Sequence, residues 1–109
     1  MALLSKYVPS PTGATGITYA AAAGGGDTVA NPGPGCIFIV KNGSASPITV
    51  TFAVPGSHAN GVAKADLALV VAATSERCVV LGNEYAGSNG LCAITYSGVT
   101  TLTVAAVQL

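Results

Sequence analysis

The chain has 109 residues, one domain's worth, with four Lys plus Arg balancing four Asp plus Glu. Neutralising phosphates takes clustered Lys and Arg, so electrostatic nucleic-acid binding in its usual form is excluded, as are a polybasic membrane anchor and an acidic tail. Charged residues are 7% and hydrophobic ones 50%, where about 25% charge is usual; such a surface must be Thr, Ser, Ala and Gly, covered in part by other protein.

The first residues, Met1-Ala-Leu-Leu-Ser-Lys6, place the charge after a small apolar patch, with Pro9 and Pro11 close behind. A secretory signal has the opposite order, so synthesis in the cytosol is expected. Residues 1–26 mix Ser, Thr and Ala with Pro9, Pro11, Gly13, Gly16 and the Gly24-Gly25-Gly26 run, and show little periodicity. Proline lacks a ladder donor and fixed glycine costs entropy, so this stretch predicts an extended arm with one short strand at Ile17 to Ala21. Stretched at about 3.3 Å per residue, such an arm reaches roughly 80 Å, well beyond the body it belongs to.

From residue 27 to 109 the pattern is all β. Cys36 to Val40 is nearly continuous apolar sequence, as in a strand buried on both faces. Asn42-Gly43-Ser44-Ala45-Ser46-Pro47 then predicts a short hairpin loop with positive φ at Asn-Gly. Ile48, Val50, Phe52 and Val54 alternate with Thr49, Thr51 and Ala53, and Pro55-Gly56 ends that strand. Ser57 to Ala65 is a longer loop. Leu67, Leu69 and Val71, then Val79 to Leu81, then Cys92, Ile94 and Tyr96 give further strands, with a second long loop at Gly82 to Gly90. Ser97-Gly98-Val99-Thr100 leads into Leu102, Val104 and Ala106.

Seven or eight short strands with tight turns predict an antiparallel β-sandwich, jelly-roll or immunoglobulin-like, carrying the N-terminal arm. Ala63 to Ala73 lacks an i, i+3, i+4 stripe, and Tyr19 to Ala23 runs into three glycines, so no helix is expected. No apolar run approaches the roughly 18 residues of a membrane span. With no Trp and 6% aromatics, the core is mainly Val, Ile and Leu.

Nothing in the sequence assembles catalysis. The single histidine, His58, stands in a Gly/Ser/Asn loop with no acid nearby. Three cysteines, Cys36, Cys78 and Cys92, lack the spacing of a disulfide framework or zinc site and read as small buried hydrophobes. Asp27, Asp66, Glu76 and Glu84 stand at strand ends or in loops, as solvated caps do. Asn83, Glu84, Ser88 and Asn89 are too sparse for calcium, and Gly24-Gly25-Gly26-Asp27 has no following Lys-Ser/Thr for phosphate. A non-enzymatic protein without metal or cofactor is expected.

One resemblance stands out. Gly25-Gly26-Asp27-Thr28-Val29, Gly33-Pro34-Gly35, Val40-Lys41-Asn42-Gly43-Ser44, Pro47-Ile48-Thr49-Val50-Thr51, Val54-Pro55-Gly56 and Tyr96-Ser97-Gly98-Val99-Thr100 resemble the capsid decoration, or cement, proteins of tailed bacteriophages, especially those infecting actinobacteria. The resemblance implies a β-sandwich on the outside of the icosahedral head, made in the host cytoplasm. Such a protein bridges major capsid protein subunits, often as a homotrimer, without direct contact to nucleic acid or membrane. The arm would make the contacts, with Leu3, Leu4, Tyr7, Val8, Ile17 and Tyr19 as candidate capsid-facing residues. The alternative is a tail- or fibre-associated sandwich binding host-surface carbohydrate through Tyr85, Asn83 and Asn89.

Overall fold

A computed structural model describes residues 2–9, 11, 16–57, 59–87 and 89–109. His58 and Ser88, weighed above as a catalytic and a calcium candidate, lie outside the described residues, as does Gly13 in the predicted arm. The chain is all β. Its strands are β1 (Ala2–Leu3), β2 (Lys6–Tyr7), β3 (Ala20–Ala21), β4 (Asp27–Ala30), β5 (Cys36–Asn42), β6 (Ile48–Phe52), β7 (Leu67–Val71), β8 (Ser75–Val80), β9 (Leu91–Tyr96) and β10 (Leu102–Gln108). A 3₁₀ turn at Asn83–Tyr85 lies between β8 and β9. No α-helix occurs among the described residues, so none is long and apolar enough to cross a membrane.

Two sheets form a sandwich-like body. The first has the order β1-β4-β9-β6-β7, and the second β2-β10-β5-β8 with β3 also on β10. Strands β3 to β10 pair antiparallel as nested couples: β6 with β7, β5 with β8, β4 with β9 and β3 with β10. Two further antiparallel contacts, β6 with β9 and β5 with β10, roll this nest into two layers.

Period-two alternation builds the core. Ile48, Val50 and Phe52 are buried while Thr49 and Thr51 between them are half-buried. Cys36, Phe38 and Val40 are fully buried, and Ile37 and Ile39 only half, so β5 has one fully buried face where the sequence predicted two. The rings of Phe38 and Phe52 bridge the sheets edge to face, with centroids 5.3 Å apart. Aromatic pairs prefer this arrangement because a positive ring edge meets a negative ring face.

The loop at Asn42 to Pro47 corrects the sequence reading. It is no hairpin, because β5 and β6 lie in different sheets and the loop carries the chain between them. Neither Asn42 nor Gly43 has positive φ. Asn42 is buried at 2% exposure, and its side chain organises the crossing. Nδ2 donates to the carbonyls of Ser46 (2.8 Å) and Val71 (3.1 Å), while Oδ1 accepts from the Ser44 amide (2.9 Å) and hydroxyl (2.7 Å). Gly43 is required for space: a Cβ there would lie 2.9 Å from Thr101 Cγ2. Gly56, by contrast, has φ of +95° and turns the chain after Pro55 as expected.

Within residues 1–26, β1 pairs in parallel with β4 and β2 in parallel with β10. Leu4 and Ser5 carry the chain from one sheet to the other, and the Leu4 amide donates to the Thr28 carbonyl at 2.9 Å. The predicted strand at Ile17 to Ala21 is confined to Ala20–Ala21.

Candidate interaction surface

Directly paired residues of neighbouring strands share a face, so the register gives the composition of each outer surface. On the first sheet the outward rows hold Leu3, Thr28 and Ala93, then Ala30 and Leu91, then Thr95, Thr51 and Ala68, then Thr49 and Val70. No outward residue of these five strands is charged. Leu3 and Val70 are the large apolar side chains most open to solvent there, at 63% and 54%.

The second sheet is more apolar and only locally charged. One outward row runs Tyr7, Val107, Ile37 and Val80, and the next Ala105, Ile39 and Cys78. A third holds Ala21, Thr103, Lys41 and Glu76. The Lys41 ammonium lies 4.1 Å from the centroid of the Tyr19 ring, a cation–π contact that anchors the approach to β3. Lys6 Nζ ties β2 down by donating to the Asn31 carbonyl (3.1 Å) and Gln108 Oε1 (3.0 Å). Between these N-terminal strands and β10 an open cleft of about 460 Å³ is lined by Leu3, Lys6, Tyr7, Thr18, Ala20 and Ala105 among others.

The six candidate contact residues fall into different settings. Leu3 is exposed on the outer row of the first sheet, and Val8 is exposed at 64% just beyond β2. Leu4 is half-buried against the molecule's own core. Tyr7, Ile17 and Tyr19 are half-buried, Tyr7 in the outer row with Val107 and Tyr19 beneath Lys41. Sequence reasoning missed Val70, Cys78 and Val80 on β7 and β8. The sequence placed a strand only at Val79 to Leu81; Ser75-Glu76-Arg77 opens β8 with polar residues, which hid its first half.

Two more expectations need correction. Cys36 and Cys92 are buried, but Cys78 is exposed, because it faces outward on the last strand of its sheet. Asp27 is no solvated cap: at 1% exposure its Oδ2 accepts from the Tyr96 hydroxyl at 2.6 Å and the Ala23 amide at 3.3 Å. Burial, then that hydrogen bond, then the Asp27 charge hold the Tyr96 hydroxyl well above its ordinary range, so it stays a proton donor. Burial, reinforced by Cys36, pushes the Cys92 thiol from 9.0 up to about 11, which keeps it protonated and unreactive at neutral pH.

Tyr85 has its ring set edge-on to Phe52 with centroids 6.2 Å apart, so it packs with the core. Burial, the Glu84 charge and Cys92 raise its hydroxyl above the ordinary value. Among the described residues no three His, Cys, Asp or Glu side chains gather as a metal site. What the surface offers is two broad faces poor in charge and rich in Thr, Ala and Val. No protein-family model, no curated protein and no solved structure matches this chain.

Proposed function

We propose that this chain is a non-enzymatic structural protein of a tailed-phage virion, which binds the outside of the head and bridges neighbouring major capsid protein subunits. The observation that carries this reading is the outer face of the first sheet, where no charged side chain occurs across five strands. Desolvating Thr, Ala and Val against a partner costs little, whereas exposed monomer surfaces normally spend Lys, Glu and Asp. The nested order of β3 to β10 supports the jelly-roll form of the sandwich over the immunoglobulin-like one, since two Greek keys rolled together give that order. Jelly rolls recur in viral shells.

The test is sedimentation of the purified chain with heads of the encoding phage, followed by cryo-microscopy. Saturable co-sedimentation and added density outside the shell are expected. Thr95→Glu, an exposed change at the centre of the uncharged face, should abolish binding and leave the melting temperature within a few degrees of wild type. Heads that stay bare at tens of micromolar chain would overturn the proposal.

A further inference from the structure

Among the described residues the second sheet ends at β8, and no strand pairs with its outer edge. The Leu81 amide donates to the Cys36 carbonyl at 2.9 Å, which fixes the phase of the ladder between β8 and β5. Hydrogen-bonded and non-hydrogen-bonded pairs alternate in an antiparallel ladder. Val79 and Arg77 therefore point their backbone groups at β5, and Val80, Cys78 and Glu76 point theirs away from it. Natural sheets blunt such an edge with charged side chains, Lys above all, or with Pro, a bulge or a covering segment. Here Ser75 to Val80 pairs with β5 without a bulge and contains neither Lys nor Pro. Arg77, the strand's only cation, is turned the other way, its Nη1 donating to the Val70 carbonyl at 3.2 Å.

We propose that β8 pairs antiparallel with β8 of a second copy of this chain, in the register that sets Cys78 opposite the partner's Cys78. A strand pairing with itself about a two-fold axis is isologous, and the residue on the axis names the register. Centring on Glu76 or on Arg77 puts two like charges directly opposite, which is unfavourable. Centring on Val79 leaves Glu76 beyond the ladder. Only centring on Cys78 pairs all three outward-bonding residues, Glu76 with Val80 at each end and Cys78 with itself. Both charges of the strand then stand opposite valines, Glu76 against Val80 and Arg77 against Val79.

The second sheet thereby continues from one protomer into its partner; the outward row of Ile39 and Cys78 runs apolar across the axis, and each row of Ile37 and Val80 meets Glu76 and Lys41 of the other copy. A single strand pair is small beside a standard interface of about 800 Å² per partner, so the dimer should dissociate on dilution. The inference rests on strand geometry and charge and holds whether or not the chain belongs to a phage head.

Analytical ultracentrifugation of the full chain under reducing conditions should show a concentration-dependent dimer, kept by Cys78→Ser and lost by Glu76→Pro. That proline removes a donor that faces the open edge and none that faces β5; circular dichroism checks that the variant stays folded. With oxidised glutathione as the oxidant, two Cys78 thiols give up two protons and two electrons to form one disulfide, releasing two reduced glutathiones. Opposed Cα atoms of a hydrogen-bonded pair lie about 5.5 Å apart, within reach of a disulfide. Peptide mapping should find the cross-link at Cys78 alone. A wild-type chain that sediments as monomer at several hundred micromolar, a dimer that survives in folded Glu76→Pro, or failure of Cys78 to cross-link would each overturn the proposal.

Discussion

At one flank of the molecule the edges of β4 and β10 are met by the chain itself: β1 lies along the first, and β2 and β3 along the second. At the other flank β7 and β8 end their sheets, with no further strand beyond them among the described residues. A deeply buried polar side chain marks each flank, Asp27 at the closed side and Asn42 at the open side. The difference shows how a chain with so little charge manages its sheet edges. At the closed flank two-residue strands occupy the ladder, locked by Lys6 and Tyr96. At the open flank a side-chain amide holds the corner where the chain turns from β7 into β8, and the edge itself stays available.

Breaking the open corner should have the largest effect. Asn42→Ala removes the donor to the Ser46, Val71 and Ala72 carbonyls and the acceptor of the Ser44 amide and hydroxyl, which are arranged around that side chain. Losing this cluster of hydrogen bonds around a buried side chain should cost about 3 kcal/mol, or roughly 15 °C in melting temperature, measured by scanning calorimetry. Asn42→Asp keeps the acceptor but turns an oxygen toward three carbonyls, so it should be at least as damaging at neutral pH.

At the closed corner the matching change is Tyr96→Phe, which removes a 2.6 Å donor from buried Asp27 and should cost about 2 kcal/mol. Its pH signature separates it from the first. A hydroxyl whose value is raised in the folded protein contributes in full below the ordinary 10.0 and loses that contribution as pH rises above it. Cys92 acts likewise from 9.0 up to about 11. Wild-type melting temperatures should therefore fall with increasing steepness from pH 9 upward. Tyr96→Phe should start lower at pH 7 and lose less beyond pH 10; an unchanged alkaline slope would show that Tyr96 is not the group being titrated.

The two flanks were also unequally readable from sequence. Period-two patterns marked β6, β9 and β10 because one face of each meets the core and the other does not. Sheet membership was not legible: Asn42 to Pro47 carries turn residues whether a loop closes a hairpin or crosses between layers, and only long-range pairing decides. Asp27 follows a glycine run and looks like a cap, and nothing local announces that Tyr96, distant in sequence, will bury it. On the candidate surface, the lack of charge was plain in the composition, and the threonine row of β6 in its alternation. The open edge at β8 was hidden, since an edge strand exposed over most of its length has no buried face to impose a pattern.

Arg77 joins the two edges of the open flank, and its removal should have the smallest effect on stability. Its side chain is exposed, so Arg77→Ala should shift stability by less than about 0.5 kcal/mol. Two other properties should change. The Val70 carbonyl, which belongs to the free side of β7, loses the guanidinium that covers it, and association of β7 edges should rise at an unchanged melting temperature. In the proposed dimer, the register centred on residue 77 is disfavoured because two guanidinium groups would oppose each other; alanine removes that repulsion. The variant should still dimerise, but the yield of Cys78 cross-link should fall as the two registers compete. A yield equal to wild type would mean that the hydrogen-bond count alone, without charge, selects the register.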